Sequence, residues 1–149
     1  MSDETDLISK LPQALLALRV SVFVVMLVWT LDKFINPAHS SAVFKKFYLI
    51  DGVSELILIG IGVVELLIIV CFVAGAFKRW TYGLVLLLHT ISTLSAWALY
   101  IDTFKNLLFF AAWPMLAACW TLYVLRDADV LLAFDANQTA ALAPDRSGS

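Results

Sequence analysis

The run LILIGIGVVELLIIVCFVAGAF, at positions 56–77, has 22 residues and carries a single charge, that of Glu65. About 20 consecutive apolar residues are enough for an α-helix to cross the hydrocarbon core of a bilayer. A segment that spans lipid must satisfy its own backbone hydrogen bonds, and an α-helix does so. This run therefore predicts a membrane-spanning helix, and it restricts the rest of the chain to folds that fit a membrane.

Composition extends this prediction to the whole chain. Of its 149 residues, 62% are hydrophobic and 15% are charged, whereas soluble domains are about 45–50% apolar and about 25% charged. We predict an all-α membrane protein, a four-transmembrane-helix bundle within domain 1–126, followed by a flexible cytoplasmic tail at 127–149. The predicted spans are 14–34, 54–77, 81–101 and 106–125. Arg19 lies inside the first, where its long side chain is expected to reach the headgroups.

The segment WTLDKFINPAHSSAVFKKFY, at 29–48, joins the first two spans. Asn36-Pro37 ends the first helix, because proline lacks an amide hydrogen and restrains the residue before it. The apolar side chains of Val43, Phe44, Phe47 and Tyr48 then recur with helical spacing, and two lysines lie beside them. This pattern predicts a short amphipathic helix that lies in the membrane interface between helices 1 and 2.

The distribution of Lys and Arg predicts the orientation. The two tails and the 78–80 turn carry six of these residues, and the opposite loops carry four. Because positive loops favour the cytoplasm, we expect both termini there, in a bacterial inner (plasma) membrane.

Several function classes lack their sequence signals. With a net charge of −2 the chain has no basic stripe for nucleic acid, and it has no phosphate-binding glycine loop or zinc motif. Cys71 and Cys119 do not form a C-x-x-C pair, and the two histidines specify no metal.

The expected partners are the lipid bilayer, subunits of a redox complex and a second copy of the chain.

Polar residues at membrane depth are the first candidate site. Glu65 lies near the middle of the second span and His89 at a comparable depth in the third, where the two could share a proton or contact a quinone head group. The further candidates are Ser92, Thr93, Trp97 and Trp113. The alternative is that these groups only form interhelical hydrogen bonds that hold the bundle together.

The second candidate site lies at the outer mouth, below the predicted interfacial helix. Its residues are Trp29, Asp32, His39 and Glu55, and His39 would be the titrating group. The alternative is a lipid-anchoring loop with solvated charges.

The chain resembles the DoxX-like family of small four-helix membrane proteins over roughly residues 19–129. The resemblance is carried by Arg19, by WTLDKFINPAH and FKKFY, by IGVVELLIIVCFVAGAFKRW, and by FFAAWPMLAACWTLY. It implies a membrane-embedded part of a redox system. Related four-span bundles depend on cysteine motifs that this chain lacks, which speaks against thiol chemistry.

The function predicted from these observations is that of an accessory subunit of a quinone-linked redox system, with a quinone as the candidate cofactor. The alternatives are a structural or assembly protein without catalytic activity, and a small transporter. The chain is more readily an accessory subunit than a catalyst by itself.

Overall fold

The computed structural model describes residues 2–136, and the side chains of residues 9–136. This part of the chain is helical and contains no strand. Its α-helices are α1 (Ser2–Ile35), α2 (Pro37–Tyr48), α3 (Glu55–Val73), α4 (Lys78–Ser95), α5 (Trp97–Ile101) and α6 (Ala112–Val124), with 3₁₀ turns at Thr103–Lys105 and Leu107–Ala111 between α5 and α6.

Three stretches are long and apolar enough to cross a bilayer, judged by length and composition: Ser9–Ile35, Glu55–Val73 and Leu107–Val124. The prediction of an all-α chain with membrane-spanning helices is confirmed at this level. The predicted third span, 81–101, is not one continuous helix, because α4 ends at Ser95 and α5 begins after a bend at Ala96.

Helix α2 begins at the predicted break. The side chain of Asn36 accepts a hydrogen bond from the His39 amide at 3.3 Å, and Pro37 occupies the first turn, where a missing amide hydrogen costs nothing. The chain then leaves α2 through Leu49 in the left-handed region (φ 58°). Ser54 caps α3 by accepting from the Ile57 amide.

The outer surface of the helices is strongly apolar. Exposed large side chains recur along α3 and α4 at Leu56, Val64, Leu67, Leu84, Leu87, Ile91 and Leu94. On α4 the polar side chains are turned the other way, since Thr81, His89 and Thr93 are buried. Contiguous exposed apolar area of this kind is typical of surfaces that contact a membrane or another protein.

The four long helices form a ring, in which α1 packs on α3, α3 on α4, α4 on α6, and α6 on α1. Buried side chains fill one end of this ring, which we call the packed end: Leu15, Val22, Ile69, Phe72, Tyr82, Val85, Cys119 and Leu122. At the opposite end, the cap end, α2 contacts α1, α3 and α4.

Residues 125–135, which we call the latch, fold back over the packed end. Asp129 and Arg19 are both 0% exposed, and Arg19 Nη1 lies 3.2 Å from Asp129 Oδ2. The Tyr82 hydroxyl donates to the same Oδ2 at 2.7 Å and accepts from Arg19 Nη1 at 3.2 Å. Arg19 Nη2 also donates to the carbonyl of Leu131 at 2.6 Å. The latch thus buries an ion pair that joins α1, α4 and the chain after α6.

Two expectations from the sequence are corrected by the latch. Arg19 does not reach toward the headgroups, because Asp129 and two carbonyl oxygens satisfy its charge inside the fold. The packed domain does not stop at residue 126, because Asp129 and Ala133 are fully buried. The predicted tail beyond residue 136 lies outside the described residues.

The turn between α3 and α4 fits the latch closely. Gly75 has a φ of +62°, and a Cβ there would lie 2.6 Å from Arg19 Nη1 and 2.8 Å from the Cα of Ala133. The carboxylate of Asp135 accepts hydrogen bonds from the amides of Phe77 and Lys78, which have no partner in the first turn of α4. The latch therefore caps α4 from a distant part of the chain.

Candidate functional site: a groove at the cap end

A cavity of about 850 Å³ occupies the cap end of the ring. This volume lies in the range of small-molecule sites, about 300–1,000 Å³. Its lining is mostly apolar and comes from α1, α2, α3, α4, α6 and the segment between α4 and α6. We call this cavity the groove.

Helix α1 provides one wall of the groove. Side chains spaced by three or four residues turn toward it, among them Leu18, Val22, Val25, Trp29 and Asp32, as expected for one face of a helix. Helix α2 covers the end of this wall with an aromatic face, since Phe44, Phe47 and Tyr48 line the groove.

A buried ion pair lies in the groove between α1 and α3. Lys33 Nζ is 2.8 Å from Glu65 Oε2, and the two side chains are only 11% and 18% exposed. Lys33 also donates to the carbonyl of Trp29 at 3.3 Å. The Thr30 hydroxyl donates its single proton to the carbonyl of Met26 at 2.8 Å, and its oxygen lies 3.4 Å from Glu65 Oε2. Lys33 is therefore the main partner of this carboxylate.

His89 lies on α4 and also lines the groove. Its Nε2 is 3.1 Å from the carbonyl oxygen of Ala112 at the start of α6. Because a carbonyl only accepts, Nε2 carries the proton in this bond. The Thr93 hydroxyl donates to the His89 carbonyl at 2.8 Å within α4. The His89 imidazole is the group that joins α4 to α6 at this depth.

The predicted sharing of a proton between Glu65 and His89 is not the arrangement in the structure. Both residues line the groove, but Glu65 pairs with Lys33, while His89 bonds Ala112. The physical reason is the direction of each side chain. An ammonium on the facing helix reaches Glu65 directly, and a carbonyl on α6 lies next to His89.

The other predicted members of the buried site divide into two groups. Ser92 and Thr93 line the groove. Trp97 and Trp113 are not part of its lining among the described residues, and Trp97 is 64% exposed. The bend at Ala96 takes Trp97 out of register with α4, and Trp113 lies on the face of α6 opposite Met115 and packs against Tyr100.

At the predicted outer mouth, Asp32 and Trp29 line the groove. Asp32 Oδ2 is 2.8 Å from His39 Nδ1 and accepts from the Ser40 hydroxyl at 2.7 Å. These contacts fasten the start of α2 to the end of α1. Glu55 is exposed at the start of α3 and is absent from the groove lining as described.

Sequence reasoning missed Lys33 and Tyr48 as groove residues. Lys33 follows Trp29 by one helical turn and therefore lies on the same face of α1. The amphipathic pattern of α2 predicts an interfacial position for Tyr48 and gives no sign of a groove. A helix that continues to Ile35 and then folds back as α2 brings both residues over the groove.

The described residues contain no group of three His, Cys, Asp or Glu side chains that could hold a metal ion. No protein-family profile matches the chain, and no curated protein and no solved structure is significantly similar to it.

Proposed function

We propose that this chain is a four-span protein of a bacterial inner membrane and an accessory subunit of a quinone-linked redox system. Its groove binds an isoprenoid quinone. The observation that carries the proposal is the combination of a large apolar groove with a buried Lys33–Glu65 pair and His89 on its walls. An apolar cleft with a few polar groups suits an amphiphile whose head is polar and whose tail is hydrocarbon.

Helix α4 is proposed as the fourth span, although its mean hydropathy is lower than that of the other three. Its polar residues His89 and Thr93 are buried, while Leu87 and Leu94 are exposed. Lipid would therefore meet an apolar face, and the polar groups would lie inside the bundle, as is usual in membranes.

In this arrangement α2 lies in the outer interface, with Lys45 and Lys46 exposed and directed toward headgroups. The termini are cytoplasmic. A cysteine introduced at Leu49 should react with a membrane-impermeant thiol reagent in intact cells, and one at Asp127 only after lysis, in a Cys71→Ser/Cys119→Ser background. The reverse labelling pattern would contradict the orientation.

The quinone proposal is tested with two tryptophan substitutions on α1. Val25 lines the groove, whereas Val24 is exposed, lies about 100° around the same helix and is outside the described groove lining. Val25→Trp should fill the groove and remove most of the quinone that copurifies with the protein in detergent. Val24→Trp should retain the wild-type amount.

Quinone is measured by solvent extraction and mass spectrometry of the purified proteins, with thermal unfolding as the check that both variants are folded. If Val25→Trp keeps as much quinone as Val24→Trp, or if the wild type carries none, the proposed function is wrong.

A structural or assembly role is the second candidate, and the latch is the observation that favours it. A fully buried Arg19–Asp129 pair stiffens the packed end without offering a ligand site in the groove. This role predicts that Lys33→Met/Glu65→Gln changes the unfolding temperature and leaves the activity of any partner oxidoreductase unchanged.

A further inference from the structure

Three side-chain atoms along the groove are hydrogen-bond acceptors without a partner among the described residues. In His89 the proton on Nε2 is directed to the carbonyl of Ala112. Within the described part of the chain no group bonds Nδ1, and this nitrogen is not among the sealed polar atoms without a partner, which are Arg19 Nε and Asp129 Oδ1. Nδ1 is therefore open to the groove, and in the neutral ring it can only accept.

The carboxylates of Glu65 and Asp32 each have one oxygen that is an acceptor without a partner in the described part of the chain. Glu65 Oε2 takes the hydrogen bond from Lys33, and Asp32 Oδ2 takes those from His39 and Ser40. Among the described residues, neither Glu65 Oε1 nor Asp32 Oδ1 has a partner, and neither atom is sealed from solvent. An ionised carboxylate oxygen accepts and cannot donate, and the Glu65 carboxylate lies 2.8 Å from the Lys33 ammonium.

Fixed hydrogen-bond donors are fewer than these three acceptors in the described groove lining. Lys33 directs two of its three N–H groups to Glu65 and to the Trp29 carbonyl and keeps one. The indole N–H of Trp29, which also lines the groove, is a second fixed donor. The hydroxyls of Ser92 and Tyr48 also line the groove, but a hydroxyl donates or accepts as required and does not discriminate between ligands.

We infer that the groove selects the reduced form of its ligand, a hydroquinone whose two O–H groups donate, over the oxidised quinone, whose two carbonyl oxygens only accept. This inference rests on the proposed function and adds the redox state of the ligand to it. A quinone carbonyl placed against Glu65 Oε1 or His89 Nδ1 sets two acceptors against each other, and both lose their bonds to water.

The test uses decylubiquinol, decylubiquinone and the dimethyl ether of decylubiquinol, which keeps the ring and tail but has no O–H group. Binding of each to the full chain in detergent is measured anaerobically by calorimetry. Hydrogen bonds to charged groups predict that the quinol binds about tenfold to 100-fold more tightly than the other two. Equal affinities for quinol and quinone would overturn the selectivity while leaving the proposed function intact, and no binding of any of the three would overturn both.

Variants separate hydrogen bonding from general damage. His89→Leu removes the ring acceptor, and Lys33→Met/Glu65→Gln removes the carboxylate while keeping the groove's net charge. Each should lower the quinol-to-quinone affinity ratio several-fold. The matched control is Asp102→Asn, which breaks the exposed pair with Lys105 (2.8 Å) outside the groove and should leave the ratio unchanged.

If His89→Leu fails to fold, the double variant carries the test. A wild-type affinity ratio in the folded double variant contradicts the assignment of Glu65 as a selecting acceptor.

Discussion

Replacing Asp129 by Asn tests the latch most directly, because the amide keeps the shape of the carboxylate and removes its charge. In the wild type, Asp129 Oδ2 lies 3.2 Å from Arg19 Nη1 and 2.7 Å from the Tyr82 hydroxyl, and both charged side chains are fully buried. The variant leaves the guanidinium buried without a counter-ion. Any loss of stability then reports electrostatics and hydrogen bonding, since no cavity forms.

The size of the loss follows from what stays around Arg19. Removing one partner of a buried ion pair costs about 3–5 kcal/mol. The carbonyl oxygens of Leu131 and Leu132 still accept from Arg19 Nη2, at 2.6 and 3.3 Å, and they offset part of the uncompensated charge. We therefore expect Asp129→Asn to lower the free energy of unfolding by about 3 kcal/mol, the lower end of that range.

The assay is reversible unfolding in mixed detergent micelles, followed by circular dichroism. Asp102→Asn serves as control, because an exposed ion pair contributes at most ~1 kcal/mol. Arg19→Met/Tyr82→Phe/Asp129→Leu should recover most of the stability lost in Asp129→Asn, since apolar replacement of a whole buried ionic network is often neutral and Tyr82→Phe removes the hydroxyl that would otherwise stay buried without its two partners. An Asp129→Asn protein within ~1 kcal/mol of the wild type would refute the argument, because a truly buried unpaired charge costs more than that.

Two glycine experiments test the packing at either end of α3. The Cβ added by Gly60→Ala meets no atom within 4 Å, and this variant should stabilise the helix by ~0.5–1 kcal/mol. The Cβ added by Gly62→Ala lies 2.8 Å from the ring of Phe34, so this variant should lose that gain or destabilise the fold. Equal unfolding temperatures of these two variants would contradict the α1–α3 packing. Gly75→Ala should destabilise the fold by several kcal/mol, because the turn needs a positive φ and the new Cβ would overlap Arg19 and Ala133. A wild-type unfolding temperature of this variant would show that the latch does not pack against the turn.

The sequence alone determined the helical character of the chain, the approximate positions of its apolar segments and the break before α2. These properties follow from local facts: the length of apolar runs, the missing amide hydrogen of Pro37 and the helical spacing of the aromatic residues in α2. Glu65, His89, Asp32 and Trp29 could be selected as site residues in the same way, because a polar or aromatic residue within or beside an apolar run stands out without any knowledge of its neighbours.

The tertiary structure decided the partners. Hydropathy shows how deep a residue lies along a helix, but it does not show how far each helix is rotated about its axis. That rotation pairs Glu65 with Lys33 and not with His89, and it turns Trp113 away from the groove. The pairing of Arg19 with Asp129 depends in addition on the chain folding back after α6. A buried charge is stabilised only by a partner within a few ångströms, and only the three-dimensional path of the chain determines which partner that is.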